Sequence, residues 1–150
     1  MTWTTREKFL AALFIVTLAV ATIIIVAPAF RVKNVGAIRA VGVKLYWDEQ
    51  ATQVVTLIDW GLMGPGELKG ATVYIRNIKS LNCTLTQNST EWDPAHAGQY
   101  LTTDWNYTGQ IIAPGQQISV LLTLQVSIGI ENVTTFSYCW DFWAIEASAG

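Results

Sequence analysis

Few side chains in this sequence could do chemistry, and their spacing limits what that chemistry is. His96 is the sole histidine, and Cys83 and Cys139 are the two cysteines. A four-ligand zinc site or a copper centre needs more nitrogen and sulfur donors than these three supply. No metal and no cofactor are therefore expected. His96 stands in the turn-prone run 92-WDPAHA-97, where a solvated imidazole is a simpler reading than a general base. Asp48 and Glu49 are hard oxygen ligands of the kind calcium takes. Adjacent residues of a strand point to opposite sides, however, so this pair reads as a solvated strand end. The sequence has no G-x-S-x-G elbow, no H-E-x-x-H and no Gly-rich phosphate loop. Nothing here predicts an enzyme.

Two modification chemistries are better signalled. Asn82, Asn88, Asn106 and Asn132 each open an N-x-S/T triplet, the acceptor for N-linked glycans. Four of the six asparagines lie in such triplets, more than chance would place there. Cys83 and Cys139 form the one possible disulfide, which would close a long loop and add at best about 4 kcal/mol. Such a bond requires both thiols to point into the same core.

These residues have to be carried by an envelope whose class is visible in the composition. Apolar residues make up 51% of the 150 and charged residues only 13%, about half the charged fraction of a soluble domain. The net charge of −2 offers no footprint for nucleic acid. The apolar excess is concentrated in residues 9–30, FLAALFIVTLAVATIIIVAPAF. That uncharged run is long enough for a helix to cross a hydrocarbon core of about 30 Å. The lipid bilayer is thus the first expected partner. Residues 1–8 are a short tail with Trp3 as an interfacial aromatic, residues 31–40 a stalk, and residues 41–147 a folded ectodomain. Ala27-Pro28-Ala29 has the spacing of a signal-peptidase site, but the run exceeds the usual length of a signal peptide's apolar core. A pilin-type leader is a third reading, though its usual basic-Gly junction is replaced by Arg6-Glu7-Lys8-Phe9. Two basic residues flank each side of the run, so charge counting gives no orientation. The acceptor triplets and the acidic excess after residue 33 place the C-terminal domain outside the cell.

Past the stalk, the period is that of strands. Strands are predicted at Val41–Trp47, Gln53–Trp60, Ala71–Asn77, Leu81–Gln87, Tyr100–Tyr107 and Gln117–Ile128. In the last of these Ile118, Val120, Leu122, Leu124, Val126 and Ile128 alternate with mostly polar residues, as a strand with one wet face does. The final stretch, 136-FSYCWDFWAI-145, is bulky on both faces. Either Phe136, Tyr138, Trp140 and Phe142 fill the core, leaving Trp143 outside, or Cys139 and Trp143 point inward and the aromatic ladder is exposed. An exposed ladder would be an interaction surface, so Tyr138, Trp140, Phe142 and Trp143 are the candidate interface residues. Sugar stacking on Trp92, Trp105 or Trp143 is a further possibility.

The ordered runs GVKLYWDE (42–49), IDWG (58–61), PGELKGATVYIRN (65–77), WDPAHA (92–97) and WNYTGQIIAPGQQISVLLTL (105–124) resemble an uncharacterised family of archaeal surface proteins. The resemblance covers roughly residues 42–137. It implies one N-terminal membrane helix followed by a single immunoglobulin-like antiparallel β-sandwich, and it carries no catalytic residues. The heavier YCWDFWAI ending replaces the family's usual Phe-x-Phe. Together the residues and the resemblance predict a membrane-anchored, glycosylated extracellular module that binds protein partners or self-assembles. A filament subunit with the apolar helix in its core is the alternative.

Overall fold

The computed structural model describes residues 34–147, and residues 9–30 lie outside that range. None of the described residues forms a helix long and apolar enough to cross a membrane. The described chain is all-β: β1 (Asn34–Val41), β2 (Val43–Tyr46), β3 (Leu57–Gly61), β4 (Leu68–Asn77), β5 (Cys83–Asp93), β6 (Leu101–Trp105), β7 (Gln117–Val126) and β8 (Phe136–Glu146), with a short 3₁₀ turn at Ala95–Gln99. Two four-stranded sheets, β3-β1-β8-β5 and β2-β4-β7-β6, face each other across one core.

Alternation fixes which face each strand buries. Val120, Leu122, Leu124 and Val126 of β7 meet Val73 and Ile75 of β4 and Val43 and Leu45 of β2 from one side. From the other come Ile58 and Trp60 of β3 with Phe136, Tyr138, Trp140 and Phe142 of β8. Trp140 and Phe142 are fully buried. At ~1.5–3 kcal/mol for each fully buried large apolar side chain, this layer supplies the main drive that offsets chain entropy.

The predicted stalk is corrected in part. Residues 34–40 belong to β1, one of the two interior strands of its sheet. β1 pairs antiparallel with β3 and parallel with β8 over its whole length, from Asn34↔Phe136 to Val41↔Trp143. The expected purely antiparallel sandwich is therefore also corrected, since one sheet is mixed. A parallel pair needs a long crossover, and here the remainder of the described chain provides it. The sequence of β1 is small and irregular because its neighbours are large. The Tyr138 ring lies so close over Gly36 that a Cβ there would come within 2.8 Å of it. At the far end Gly42, with φ +77°, turns β1 of one sheet into β2 of the other, and a Cβ there would meet Ala144 at 2.9 Å.

Strand directions separate two poles. The start of β1, the β3–β4 loop, the β5–β6 connection and the β7–β8 loop share one end. The β1–β2 hinge, the β4–β5 and β6–β7 loops and the end of β8 share the other. β2 and β3 each cover only half the height, and residues 47–56 carry the chain from one sheet to the other. Asp48 holds that crossing, accepting from the Thr52 and Gln53 amides at 2.9 and 2.7 Å and from the Thr52 hydroxyl at 2.7 Å. Those bonds, with the Thr52 hydroxyl foremost, keep its carboxyl below the usual range.

Candidate interaction surface

The last strand settles which aromatics are interior. Tyr138 accepts a hydrogen bond from Trp60 Nε1 at 2.9 Å and stacks on Trp92, ring centroids 4.5 Å apart. Trp140 Nε1 donates to Gln87 Oε1 at 2.6 Å. Phe142 packs against both Trp140 and Trp105. Burial pushes the Tyr138 hydroxyl far above its ordinary pKa. Tyr138, Trp140 and Phe142 are therefore core, which corrects the reading of these three as an interface. Trp143 alone of the four predicted interface residues reaches the outer face, half-buried beside Val41 of β1. Trp92 and Trp105 pack against the core, which leaves them poorly placed as sugar platforms.

A disulfide between Cys83 and Cys139 is likewise corrected. Both are free and buried. Cys139 sits opposite Thr90 and Cys83 opposite Glu146, so the thiols are offset by seven residues along adjacent strands, about 23 Å. That odd offset also puts them on opposite faces of the sheet. A disulfide needs Cα atoms within about 7 Å.

Behind the aromatic ladder, the outer face of the same sheet carries a polar group that the sequence did not reveal. Arg39 of β1 lies directly across from Asp141 of β8 and grips it with two bonds, Nε to Oδ1 at 2.6 Å and Nη2 to Oδ2 at 3.0 Å. The Thr90 hydroxyl donates to the same carboxylate at 2.7 Å, and Arg39 Nη1 reaches Glu91 at 2.8 Å. Asp141 is buried while Arg39 remains half exposed. The guanidinium, above all, holds the Asp141 carboxyl below the usual carboxylate range. One signal was available in advance: a lone carboxylate inside an aromatic strand needs a cation or several donors. Its partner was hidden because β1 does not alternate.

This cluster is built to be stable, with little capacity for reaction. Cys139 lies within 3.8 Å of Asp141 Oδ1. Burial first, and then the neighbouring carboxylate, push its thiol pKa up, the reverse of what a nucleophilic cysteine needs. The adjacent hollow of about 230 Å³, lined by Val35, Ala37, Leu57, Glu91 and Ser137, is shallow and mostly apolar. A second cleft, of about 430 Å³, lies between the 48–53 turn and the outer face of the other sheet. Two of its polar side chains are already engaged, Gln117 on the Glu49 carbonyl and Arg76 on that of Gly115. Among the described residues, no three His, Cys, Asp or Glu side chains gather closely enough to hold a metal ion.

The chain matches no family model and no curated protein. One group of exposed apolar side chains stands at the far pole. Val41, Ile78, Leu81 and Ile145 are each more than half exposed, and Trp143 adjoins them. Their segments are joined there: Val41 lies across from Trp143, Ile145 follows two residues on along the same face of β8, and Ile78 donates its amide to Gly42, next to Val41. The Lys79–Glu146 ion pair, at 3.5 Å, sits beside them. The acceptors Asn82, Asn88, Asn106 and Asn132 are all exposed, so each offers its side chain to solvent. Asn82 adjoins the apolar pole, Asn88 stands on the outer face beside Asp141, Asn106 lies on the β6–β7 loop and Asn132 on the β7–β8 loop.

Proposed function

We propose that the chain is a single-pass membrane protein whose C-terminal domain, an immunoglobulin-like β-sandwich, stands outside the cell and acts as a structural or protein-interaction module. The observation that carries this reading is the cluster of Val41, Ile78, Leu81, Trp143 and Ile145, an apolar group at the pole opposite the one where residues 9–30 join the domain. Contiguous exposed apolar surface on a folded domain marks a place where another macromolecule sits. The long uncharged run supports the anchor, and the four exposed acceptor asparagines support the exterior location. Engaged polar side chains and a thiol kept protonated fit a binding role better than catalysis.

A photo-crosslinking residue at position 145 of the full chain, in its own membrane, tests the role. The expected result is a discrete adduct from position 145 and none from position 119, on the outer face of the other sheet. Val41→Lys should cut the adduct at least about tenfold, because an unpaired ammonium in an apolar contact costs more than 1.4 kcal/mol. Absence of any adduct from position 145 refutes the interaction role, and release of the chain from membranes by alkaline carbonate refutes the anchor.

A further inference from the structure

The near pole, where β1 begins, has its own exposed apolar groups, and they are unlike those of the far pole. Alternation along β7 assigns Ile128 to the core, yet the strand ends at Val126 and Ile128 is carried out on the turn that follows, 85% exposed. It leans on Gly66, where an added Cβ would come within 3.2 Å of its side chain. Leu62, 45% exposed, stands on the neighbouring β3–β4 loop, one residue beyond Gly61, the partner of Asn34. That loop is set in shape by its own bonds. The Lys69 ammonium donates to the Trp60 and Leu62 carbonyls at 2.8 and 2.6 Å, and the Gly64 amide donates to Glu67. Its tip, Gly64-Pro65-Gly66, carries no charge.

Chain connectivity says what covers this pole. Only Arg31, Val32 and Lys33 separate Phe30, the end of the uncharged run, from Asn34. Four Cα steps reach at most about 14 Å, so if residues 9–30 span a bilayer, the pole cannot stand clear of the headgroups. We propose that the domain rests its near pole on the bilayer, with Ile128 and Leu62 seated in the interfacial layer. An interface of this kind takes isolated apolar tips and flanking basic residues. The domain would then stand upright, its far pole about 35 Å away along the eleven residues of β8, rather than swinging on a linker. The proposal rests on the anchored reading. It adds a consequence for Asn132: that acceptor lies on the β7–β8 loop, four residues from Ile128, where a glycan would meet the headgroups. It should stay unmodified while the acceptors farther from this pole remain open.

The test uses the full chain in phosphatidylcholine vesicles containing one-fifth phosphatidylglycerol. Ile128→Cys, Leu62→Cys and, at the far pole, Leu81→Cys variants carry an environment-sensitive fluorophore, with Cys83 and Cys139 buried and left in place. Unlabelled protein is floated on a density gradient in parallel. The expected result is flotation, a blue-shifted emission at positions 128 and 62, and quenching there by lipid-borne nitroxides at least about threefold stronger than at position 81. Flotation with equal, weak quenching at all three positions overturns the resting pole and leaves the anchor standing. A chain that does not float overturns both. A variant that fails to fold is identified by its tryptophan emission, and Ile128→Ser then serves in its place: it should raise fluorophore mobility at position 62, and no change there counts against the proposal. A glycan found on Asn132 of the native protein would also overturn it.

Discussion

Asn77 closes the far end of the core, and replacing it by aspartate would test how. The side chain is fully buried at the last position of β4. Its Nδ2 donates to the Leu81 and Ile112 carbonyls at 2.9 and 3.0 Å, and its Oδ1 accepts from the Lys79 amide at 2.8 Å. One residue thus ties the β4–β5 loop and the segment before β7 to a single strand end. Asn77→Asp keeps the shape and the acceptor for Lys79 but exchanges the two-bond donor for an oxygen facing two carbonyl oxygens. Each lost bond contributes about 1 kcal/mol net, and a buried charge left without a partner costs about 3–5 kcal/mol. Lys79 is close in sequence, but its ammonium is committed to Glu146 at 3.5 Å. Together these losses come to about 6 kcal/mol at pH 7. Thermal unfolding of the full chain in detergent, read by tryptophan emission, should show a midpoint about 24 °C lower, at about 4 °C per kcal/mol. The introduced carboxyl has a folded pKa raised above its unfolded value near 3.9. Its penalty is therefore present in full at neutral pH and fades as pH falls, because the protonated acid can donate to one of the two carbonyls. A midpoint unchanged at pH 7, or a deficit that deepens towards pH 4, refutes the assignment of Asn77 as a donor hub.

Two further outcomes follow from the outer face and the thiols. Arg39→Met should lower the unfolding midpoint most at neutral pH. The folded pKa of Asp141 is depressed by Arg39, so the native pair stabilises above the unfolded carboxyl pKa and loses that contribution as pH falls through the folded one. Wild type and variant should converge below about pH 4, and parallel pH profiles would count against the pairing. Maleimide added to the native full chain should label neither Cys83 nor Cys139, and both should react once the chain is denatured without reductant. A denatured chain that needs reductant before it labels would mean a disulfide, in conflict with the seven-residue offset between the two positions.

The strands that were legible in the sequence are those with one wet face. β7 was read as Gln117–Ile128 and is Gln117–Val126, and β4 was read as Ala71–Asn77 and is Leu68–Asn77, because apolar and polar residues alternate there. β5 was recognised at its start, but its second half, Asn88 to Asp93, is polar on both sides except for Trp92. That stretch is held by pairing with β8, which no local pattern announces. β1 was missed for a related reason. Its inward Gly36 is small because Tyr138 fills the space, and its outward Arg39 is polar because Asp141 needs it, so its identity depends on residues more than a hundred positions away. The candidate interface was half legible. Trp143 was placed outside by one of the two parities considered for the last strand, whereas the apolar far pole is assembled from three separated segments.

The parallel pairing of β1 with β8 also decides how the domain would carry load. A pull on the chain ahead of Asn34, resisted at the far pole where β8 ends, acts along both strands in opposite directions. The rungs from Asn34↔Phe136 to Val41↔Trp143 would then be strained together in shear instead of being opened one at a time from an end. β1 is also held on its other side by β3, so rupture requires two ladders to slip at once. Resistance of this kind is set by the unfolding rate and not by equilibrium stability. Pulled at the start of its first strand and the end of its last, a domain with this pairing would meet the force in shear across the whole β1–β8 ladder.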